Sequence, residues 1–238
     1  MRHSNYDKEP FVDIQGAFDQ VAFEGYEAIA KQLSQHMQRL GSKKTVVTVE
    51  CYPGVRVQEV KQGLGSYIDF DFVYYSEDFA YDSKAITKLI QNNLTEDRVF
   101  GIMSHHQMKD FFSPEKLDQV NREIAGIASG NILIIGVGAT LLATPDVLLY
   151  ADLARWEIQL RYRSKEMGNW KMDNYDEDIL RKYKRAFFVE WRVADRLKKN
   201  LFDRIDYLLD TNIKDQPKMV EGKAYLDGLE QCSTRPFR

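Results

Sequence analysis

Three short runs of apolar residues do most to restrict the fold of this chain. The runs are Thr45–Val49, Asn131–Ile135 and Val147–Ala151, and each is rich in β-branched or aliphatic residues. A strand with one wet face alternates polar and apolar residues, whereas a strand covered on both faces is apolar almost throughout. Longer stretches with an apolar residue at every third or fourth position separate the runs and predict helices. This alternation predicts an α/β domain of three layers, in which helices cover both faces of a mostly parallel sheet.

The remaining elements follow from the same periodicity. An amphipathic helix is predicted from Phe18 to Leu40, where Gly41 is typical of a helix C-terminus. The other predicted helices are Ser83–Asn92, Pro114–Ala128 with Ser113 as N-cap, Leu153–Lys165 and Asp178–Asp203. Ile68–Tyr75 predicts a further strand, and Tyr207–Leu209 is a short apolar piece. Because no linker or repeat divides the chain, residues 1–238 are expected to form one domain, with 1–16 as an N-terminal extension and 213–238 as a C-terminal tail.

Composition and charge argue against several classes of function. The formal net charge of −3 at pH 7 gives no general attraction to nucleic acid or to anionic membranes. No apolar run has the length of a bilayer span or the position of a signal peptide, so a cytoplasmic protein is expected. The two cysteines, Cys51 and Cys232, are far apart and suit a reducing compartment. Four histidines in no zinc-binding pattern argue against a metal site.

The turns after the predicted strands are the best candidates for a ligand site, because open α/β sheets bind ligands beyond the carboxyl ends of their strands. The first turn contains Tyr52, Gly54 and Arg56. It has one glycine, a proline that removes an N–H donor, and neither Lys nor Ser/Thr after the glycine, so a purely structural turn is the alternative to a phosphate loop. A second turn, Gly136–Leu141, is half of a dinucleotide fingerprint, and tight helix packing is the other explanation for its glycines.

Charged groups elsewhere are candidates to complete such a site. Asp78 follows the strand predicted at Ile68–Tyr75, where a carboxylate either deprotonates a substrate hydroxyl or caps a turn. His105 lies in a polar break between apolar segments and either binds a ligand or is solvated. Three arginines on one predicted helix would meet an anion if the helix end bends, and would otherwise form a solvated basic face. They are Arg155, Arg161 and Arg163.

Taken in chain order, these segments resemble the uridine kinase and phosphoribulokinase branch of the P-loop kinases. The segments that carry the resemblance are Val46–Gly54, Asp78, Phe100–His105 and Asp146–Arg163. In that branch the third segment contacts the nucleoside, and the fourth ends a strand in an acid and enters an arginine-rich lid. Phe100 and Gly101 depart from the Tyr-Asp pair of that branch. The resemblance implies a P-loop-kinase-like fold and, as a cofactor, a nucleotide with magnesium. The matching positions are His105, Asp152, Arg155, Arg161 and Arg163.

A second resemblance covers the chain from about Phe23 to Phe237. The longer strings that carry it are Val49–Val55, Asp97–Gly101, Tyr150–Arg161, Phe187–Lys199 and Asp206–Asn212. The strings resemble the N-terminal region that precedes the cupin part of long bacterial class I mannose-6-phosphate isomerase-like proteins. This resemblance implies a role in sugar-phosphate metabolism, with a cupin-type isomerase domain as a partner. The sequence holds no cupin-like set of histidines and glutamate, so isomerase chemistry is implied for none of its residues.

The kinase resemblance breaks at the centre of kinase chemistry. Val55 stands where the phosphate-binding Lys would be, Arg56 replaces the magnesium-binding hydroxyl, and Val137 replaces the acid of a Glu-Gly pair. Loss of these groups removes the electrostatic stabilisation on which phosphoryl transfer depends. The sequence therefore predicts a degenerate phosphate loop that binds a nucleotide or a sugar phosphate, with Tyr52, Gly54 and Arg56 on the anion, and transfers no phosphate. The alternatives are an active nucleoside or sugar kinase with Asp78 as its base, and a structural or partner-docking domain built on the long basic helix.

Overall fold

Seven strands form one sheet in the part of the chain that the computed structural model describes, residues 11–12 and 21–234. Their order across the sheet is β1-β7-β6-β5-β2-β4-β3. The five strands from β6 to β3 run parallel, whereas β7 and β1 are antiparallel to their neighbours. The strands are β1 (Ala22–Glu24), β2 (Lys44–Cys51), β3 (Phe72–Tyr75), β4 (Gly130–Gly136), β5 (Val147–Asp152), β6 (Tyr207–Asp210) and β7 (Lys218–Glu221).

Helices connect most of these strands. A π-helical turn, Ala186–Glu190, joins two of them into one long rod, and a 3-10 turn at Ser76–Asp78 follows β3. No helix in the described residues is both long and apolar enough to cross a membrane. The helices are α1 (Tyr26–Leu40), α2 (Val57–Gly65), α3 (Ser83–Ile90), α4 (Pro114–Gly126), α5 (Arg155–Arg163), α6 (Ile179–Arg185), α7 (Trp191–Leu201) and α8 (Gly222–Thr234).

The three apolar runs are neighbouring parallel strands. Strand β2 lies between β4 and β5, with Val46 opposite Ile132 and Val47 opposite Val147. Their side chains are buried on both faces of the sheet, which is why the runs lack polar alternation. The predicted α/β fold with a mostly parallel sheet is confirmed.

Helices cover both faces of this sheet. On one face the hydroxyl of Tyr207 in β6 lies 3.0 Å from Nδ1 of His36 in α1. The strand register places Ile132 on the opposite face. There it packs with Val120 and Ile124 of α4 in a separate apolar cluster.

The first helix is shorter than its periodicity predicts. Phe18 lies outside the described residues, and Ala22–Glu24 is the edge strand β1. Gly25 has a φ of +81°, a left-handed value that favours glycine and interrupts a helix. The helix therefore begins at Tyr26, and the part of the prediction that covers residues 22–25 is wrong.

Two other segments differ from expectation. Ile68 donates its N–H to Leu64 O (3.0 Å) in the turn after α2, so the strand predicted from Ile68 begins only at Phe72. The interval 213–238, expected as a tail, carries β7 and α8 as far as Thr234. The last four residues, and residues 1–16 apart from 11 and 12, lie outside the described part of the chain.

Strand β2 occupies the point at which the strand order changes direction. The chain continues from β2 to β3 and β4 on one side, and then crosses to β5 and β6 on the other. Such a point, at the carboxyl ends of the strands, is where open α/β sheets bind ligands. The turns that follow β2, β3, β4 and β5 are therefore the places where a ligand site is expected.

Candidate functional site

The turn after β2 is covered by the chain itself. Tyr52 donates its N–H to Ala151 O (2.9 Å), and Val55 donates to Tyr52 O (3.1 Å), which closes a tight turn. Gly54 has a φ of +116°, and a Cβ at this position would lie 2.9 Å from Cγ1 of Ile158 in α5. Glycine is therefore required both by its backbone conformation and by the close approach of α5. The turn that was predicted to face an anion faces a helix.

Arg161 ties this turn to the loop after β6. Its side chain is 2% exposed, and Nη1 donates to Gly54 O at 2.7 Å. Nη2 donates to the carbonyl oxygens of Thr211 (3.0 Å) and Asn212 (3.1 Å), and Nε donates to Glu157 Oε1 (2.8 Å). The structure thus brings Arg161 to Gly54 as predicted, but the guanidinium donates its hydrogen bonds to backbone carbonyls and a carboxylate. In this structure it is a structural clamp.

Arg56 is also paired within the chain. Its Nε and Nη2 donate to the two carboxylate oxygens of Glu166, at 2.5 and 3.0 Å, and Nη2 lies 3.8 Å from Glu157. This fork lowers the pKa of the Glu166 carboxyl and raises that of Arg56. Arg163 donates instead to the hydroxyl of Tyr183 (2.6 Å). Arg56 and Arg161 therefore meet at the Glu157 carboxylate, whereas Arg163 has a separate partner.

Tyr52 and Arg155, two other predicted residues, also meet, and both contact Asp195, which the sequence did not indicate. The Tyr52 hydroxyl donates to Oδ1 of Asp195 (2.9 Å), and Arg155 Nη2 donates to Oδ2 of the same carboxylate (2.5 Å). Arg155 also stacks on the Trp191 ring, with 5.1 Å from Cζ to the ring centroid. Asp195 gave no sequence signal, because only the packing of α7 brings it to the end of β2.

A buried carboxylate occupies the N–H groups of the turn after β4. Glu50, in β2, accepts from Gly138 N at 2.6 Å, and from Thr140 N and Oγ1 at 2.9 and 2.8 Å. Burial raises the pKa of Glu50 to about 7, against the lowering effect of these three hydrogen bonds. In the turn Gly136–Leu141, which resembles half of a dinucleotide fingerprint, the N–H groups of Gly138 and Thr140 therefore donate to Glu50 and not to a ligand.

Glu77 fills the other side of that turn. Its Oε1 accepts from Val137 N (3.1 Å), and a Cβ on Gly136 would lie 2.2 Å from its Oε2. Gly136 has a φ of +131°, so glycine is needed here for conformation and for space. Burial raises the pKa of Glu77. The glycines of this turn are explained by tight packing.

The segment between α5 and α6, residues 164–178, is held by a buried lysine. Lys182 is 0% exposed, and its Nζ donates to the carbonyl oxygens of Tyr162 (3.0 Å), Met167 (3.3 Å) and Tyr175 (3.0 Å). Burial lowers the pKa of this ammonium. The segment that follows the arginine-rich helix is therefore fixed to α6.

A cavity of about 530 Å³ opens at the carboxyl end of β3. Lys116 Nζ donates to the carbonyl oxygen of Asp78 (3.1 Å), and Lys171 Nζ donates to that of Glu77 (2.9 Å). Each ammonium has three N–H donors and therefore retains some for a ligand. Lys171 has a φ of +58°, a conformation uncommon for a residue with a side chain. The cavity is lined by Glu77, Asp78, Ala80, Tyr81, Asp82, Ser113, Lys116 and Lys171.

The site residues predicted from sequence do not form one site. Gly54, Arg56 and Arg161 meet at the turn after β2, and Arg163 contacts Tyr183 instead. Asp78 lines the cavity beyond β3, whereas Tyr52 and Arg155 share Asp195 beyond β2. His105 is exposed in the loop before α4 and does not line that cavity. Lys116 and Lys171 were missed, because they belong to segments that pack against the end of β3 only in the folded chain.

A family model described as Domain of unknown function (DUF8485) matches residues 25–234. The chain belongs to the DUF8485 family. The match runs from the start of α1 to the end of α8, so the covered turn, the clamp and the cavity all lie within the DUF8485 domain. No curated protein matches the chain.

The DUF8485 domain presents no cluster suited to a metal. Within the described residues, no group of three or more His, Cys, Asp or Glu side chains is placed to hold an ion. The cavity beyond β3 instead combines two ammonium groups with the carboxylates of Glu77, Asp78 and Asp82. Such a set can hold an anion and accept hydrogen bonds from hydroxyl groups at the same time.

Proposed function

We propose that this DUF8485 domain is a kinase-like binding domain that holds a phosphorylated small molecule, a sugar phosphate or a nucleotide, and does not transfer its phosphate. The observation that carries the proposal is the cavity at the carboxyl end of β3, which Lys116 and Lys171 line together with Asp78. The two resemblances support the same class of ligand, and an affinity for sugar phosphates would suit a cupin-type isomerase partner.

The chemistry of the cavity favours a sugar phosphate. Ammonium groups form charge-assisted hydrogen bonds with phosphate oxygens. The carboxylates of Asp78 and Asp82 can accept hydrogen bonds from sugar hydroxyls, and Asp82 keeps one oxygen for this, because Oδ1 accepts from Ala85 N (2.8 Å). A volume of about 530 Å³ lies within the range of small-molecule sites. The polar lining suits hydroxyl groups better than a flat base.

The absence of transfer follows from the turn after β2. Ile158 and Arg161 of α5 contact Gly54 where a kinase would place nucleotide phosphates. Val55 and Val137 supply neither an ammonium nor a carboxylate to the reaction. Phosphoryl transfer depends on positioning and electrostatic stabilisation, and both are missing at this turn. We place a P-loop-kinase-like fold, with a degenerate phosphate loop, in the same proposal.

A thermal-shift panel tests the binding of phosphorylated ligands, and a measurement of ATP turnover tests the absence of phosphate transfer. Mannose 6-phosphate, glucose 6-phosphate, fructose 6-phosphate, UMP and ATP are added separately at millimolar concentration, with the unphosphorylated sugars as references. A ligand at about 100 times its dissociation constant stabilises the folded state by roughly 2.7 kcal/mol. We expect at least one sugar phosphate to raise Tm, and we expect ATP hydrolysis or transfer to the sugars to be no faster than in buffer.

Matched variants locate the binding. Lys116→Ala combined with Lys171→Ala should abolish the shift, whereas Lys31→Ala, on the outer face of α1, should preserve it. An equal shift in the double variant would place the ligand elsewhere. ATP turnover that disappears in Asp78→Asn would replace the proposal with an active kinase.

A further inference from the structure

An exposed apolar loop precedes the region of His105. Phe100 is 70% exposed, Ile102 58% and Met103 41%, and Phe187, which precedes the Phe188 that the loop contacts, is 41% exposed. Single exposed apolar residues need no explanation, but a contiguous group of them marks an interaction site. The loop contacts the long rod of α6 and α7, because Ser104 N donates to the carbonyl oxygen of Phe188 at 2.8 Å.

The backbone of this loop is fixed although its side chains are exposed. Asp97 Oδ1 accepts from the N–H groups of Val99 (2.7 Å) and Phe100 (2.6 Å). Ile102 N donates to Asn93 O (2.9 Å), and Asn93 Nδ2 donates back to Ile102 O (3.0 Å). A loop held in this way loses little conformational entropy when a partner covers it.

Two further contacts place the loop against the body of the domain. A Cβ on Gly101 would lie 2.6 Å from Asn93 O, so only glycine allows this close approach. The ammonium of Lys184, 7% exposed, donates to the carbonyl oxygens of Thr95 (2.9 Å) and Asp97. The buried ammonium of Lys184 thus fixes the start of a loop whose apolar side chains are exposed to water.

Two guanidinium groups lie along the rod beyond Phe187. Arg192 Cζ lies 5.0 Å from the centroid of the Phe187 ring, and Arg155 stands one turn further on, over Trp191. Asp195 is the carboxylate that both of them reach, at 2.5 Å from Arg155 and 3.8 Å from Arg192. Nε of Arg192 is buried and has no hydrogen-bond partner in the described part of the chain.

A third guanidinium links the helix to the loop. Arg196 Nη2 donates to the carbonyl oxygens of Ser104 (2.8 Å) and His106 (2.6 Å). Burial and the neighbouring Arg192 charge lower the pKa of Arg196. Among the described residues, no carboxylate forms an ion pair with this group. Arg155 and Arg192 therefore share the Asp195 carboxylate, whereas Arg196 has only carbonyl partners on the exposed apolar loop.

We propose that this docking face, formed by residues 99–103, Phe187, Arg155, Arg192 and Arg196, binds an acidic segment of a partner protein. The segment would carry an aromatic or aliphatic side chain between its carboxylates. The apolar side chain would lie on Phe100 and Ile102, and the carboxylates would form ion pairs with Arg192 and Arg196. Aromatic and Arg side chains are the groups on which binding energy concentrates at protein interfaces. The proposal concerns a different part of the domain from the cavity beyond β3 and does not depend on it.

Labelled peptides test the proposal by fluorescence anisotropy with the whole chain. The probe is a fluorescein-labelled peptide built on the repeat Glu-Phe-Asp-Glu-Leu-Glu. One reference peptide has Lys at every acidic position, and another has Ser in place of Phe and Leu. We expect the first peptide alone to bind, and its affinity to fall at least about tenfold in Phe100→Ser with Ile102→Ser and in Arg192→Glu.

Variants at distant exposed sites control for surface change in general. Tyr67→Ser, after α2, and Arg122→Glu, on α4, should leave the affinity unchanged, and circular dichroism should show all variants folded. The proposal fails if the acidic peptide does not bind, if the lysine peptide binds equally well, or if the docking-face variants bind like the wild type. Dimers of the free chain that vanish in the Phe100 and Ile102 variant would assign the face to a second copy. Binding to phosphatidylserine vesicles through the same residues would assign it to a membrane.

Discussion

Replacement of Arg161 by alanine separates a structural role of this side chain from a ligand-binding role. The guanidinium is 2% exposed and donates to the carbonyl oxygens of Gly54, Thr211 and Asn212 and to Glu157. Hydrogen bonds to a charged group contribute about 1.5–3 kcal/mol each, and their loss leaves buried carbonyls without donors. Because Glu157 is partly solvated, the expected loss is smaller than the sum of four such bonds. We expect Arg161→Ala to lower the free energy of unfolding by about 3–5 kcal/mol.

Urea denaturation followed by tryptophan fluorescence measures this change, since the chain has three tryptophans. In a domain of this size, 1 kcal/mol moves Tm by about 2–4 °C, so the variant should melt roughly 6–20 °C lower. Arg163→Ala, two positions on, is the matched control. Its contacts are the Tyr183 hydroxyl and the exposed Trp156 ring, so its loss should stay below about 1 kcal/mol.

An Arg161→Ala variant that unfolds within about 1 kcal/mol of the wild type would refute the clamp, because buried carbonyls cannot lose their donors at so small a cost. The same variant with unchanged stability and lost sugar-phosphate binding would restore the anion site first expected at Gly54.

Two further predictions concern Glu50 and the contact between Gly136 and Glu77. Because the folded-state pKa of Glu50, about 7, lies above its ordinary 4.5, its contribution to stability is full below pH 4.5 and is lost as the pH rises through 7. Wild type should therefore lose about 2 kcal/mol more than Glu50→Gln between about pH 5 and about pH 8 in urea titrations, and parallel pH profiles would contradict this. Gly136→Ala should destabilise by about 3 kcal/mol or more, since its Cβ would lie 2.2 Å from Glu77 Oε2 at a φ of +131°. Gly65→Ala in α2 has open space and should gain up to about 1 kcal/mol in the same assay.

The sequence predicts the centre of the sheet well and its edge poorly. Runs such as Val147–Ala151 are apolar because both faces of β5 are covered, and this pattern is local. Ala22–Glu24 is short and largely exposed, and it becomes a strand only by pairing with Lys218–Val220, almost two hundred residues away. Its apolar spacing continues that of α1, so a longer helix was the natural prediction.

In the candidate site, too, the sequence predicts what depends on neighbouring residues and misses contacts between distant segments. Asp78 was placed correctly at the end of a strand, because that depends on the strand and the turn alone. The partners of Arg161 and Glu50 lie up to 107 residues away and are set by how α5 and the β4 turn pack. A guanidinium that will clamp carbonyls and one that will bind phosphate look alike in a sequence.

Lys182 gives the segment between α5 and α6 a cation of its own. Three carbonyl oxygens that converge on one positive charge at 3.0–3.3 Å resemble the ligand shell of a bound alkali ion. An alkali ion can dissociate, so a loop that depends on one follows the ionic composition of its surroundings. The ammonium of Lys182 is covalently part of α6 and cannot be diluted or exchanged. The hydrogen bonds that hold this segment therefore do not depend on which salt ions are in solution.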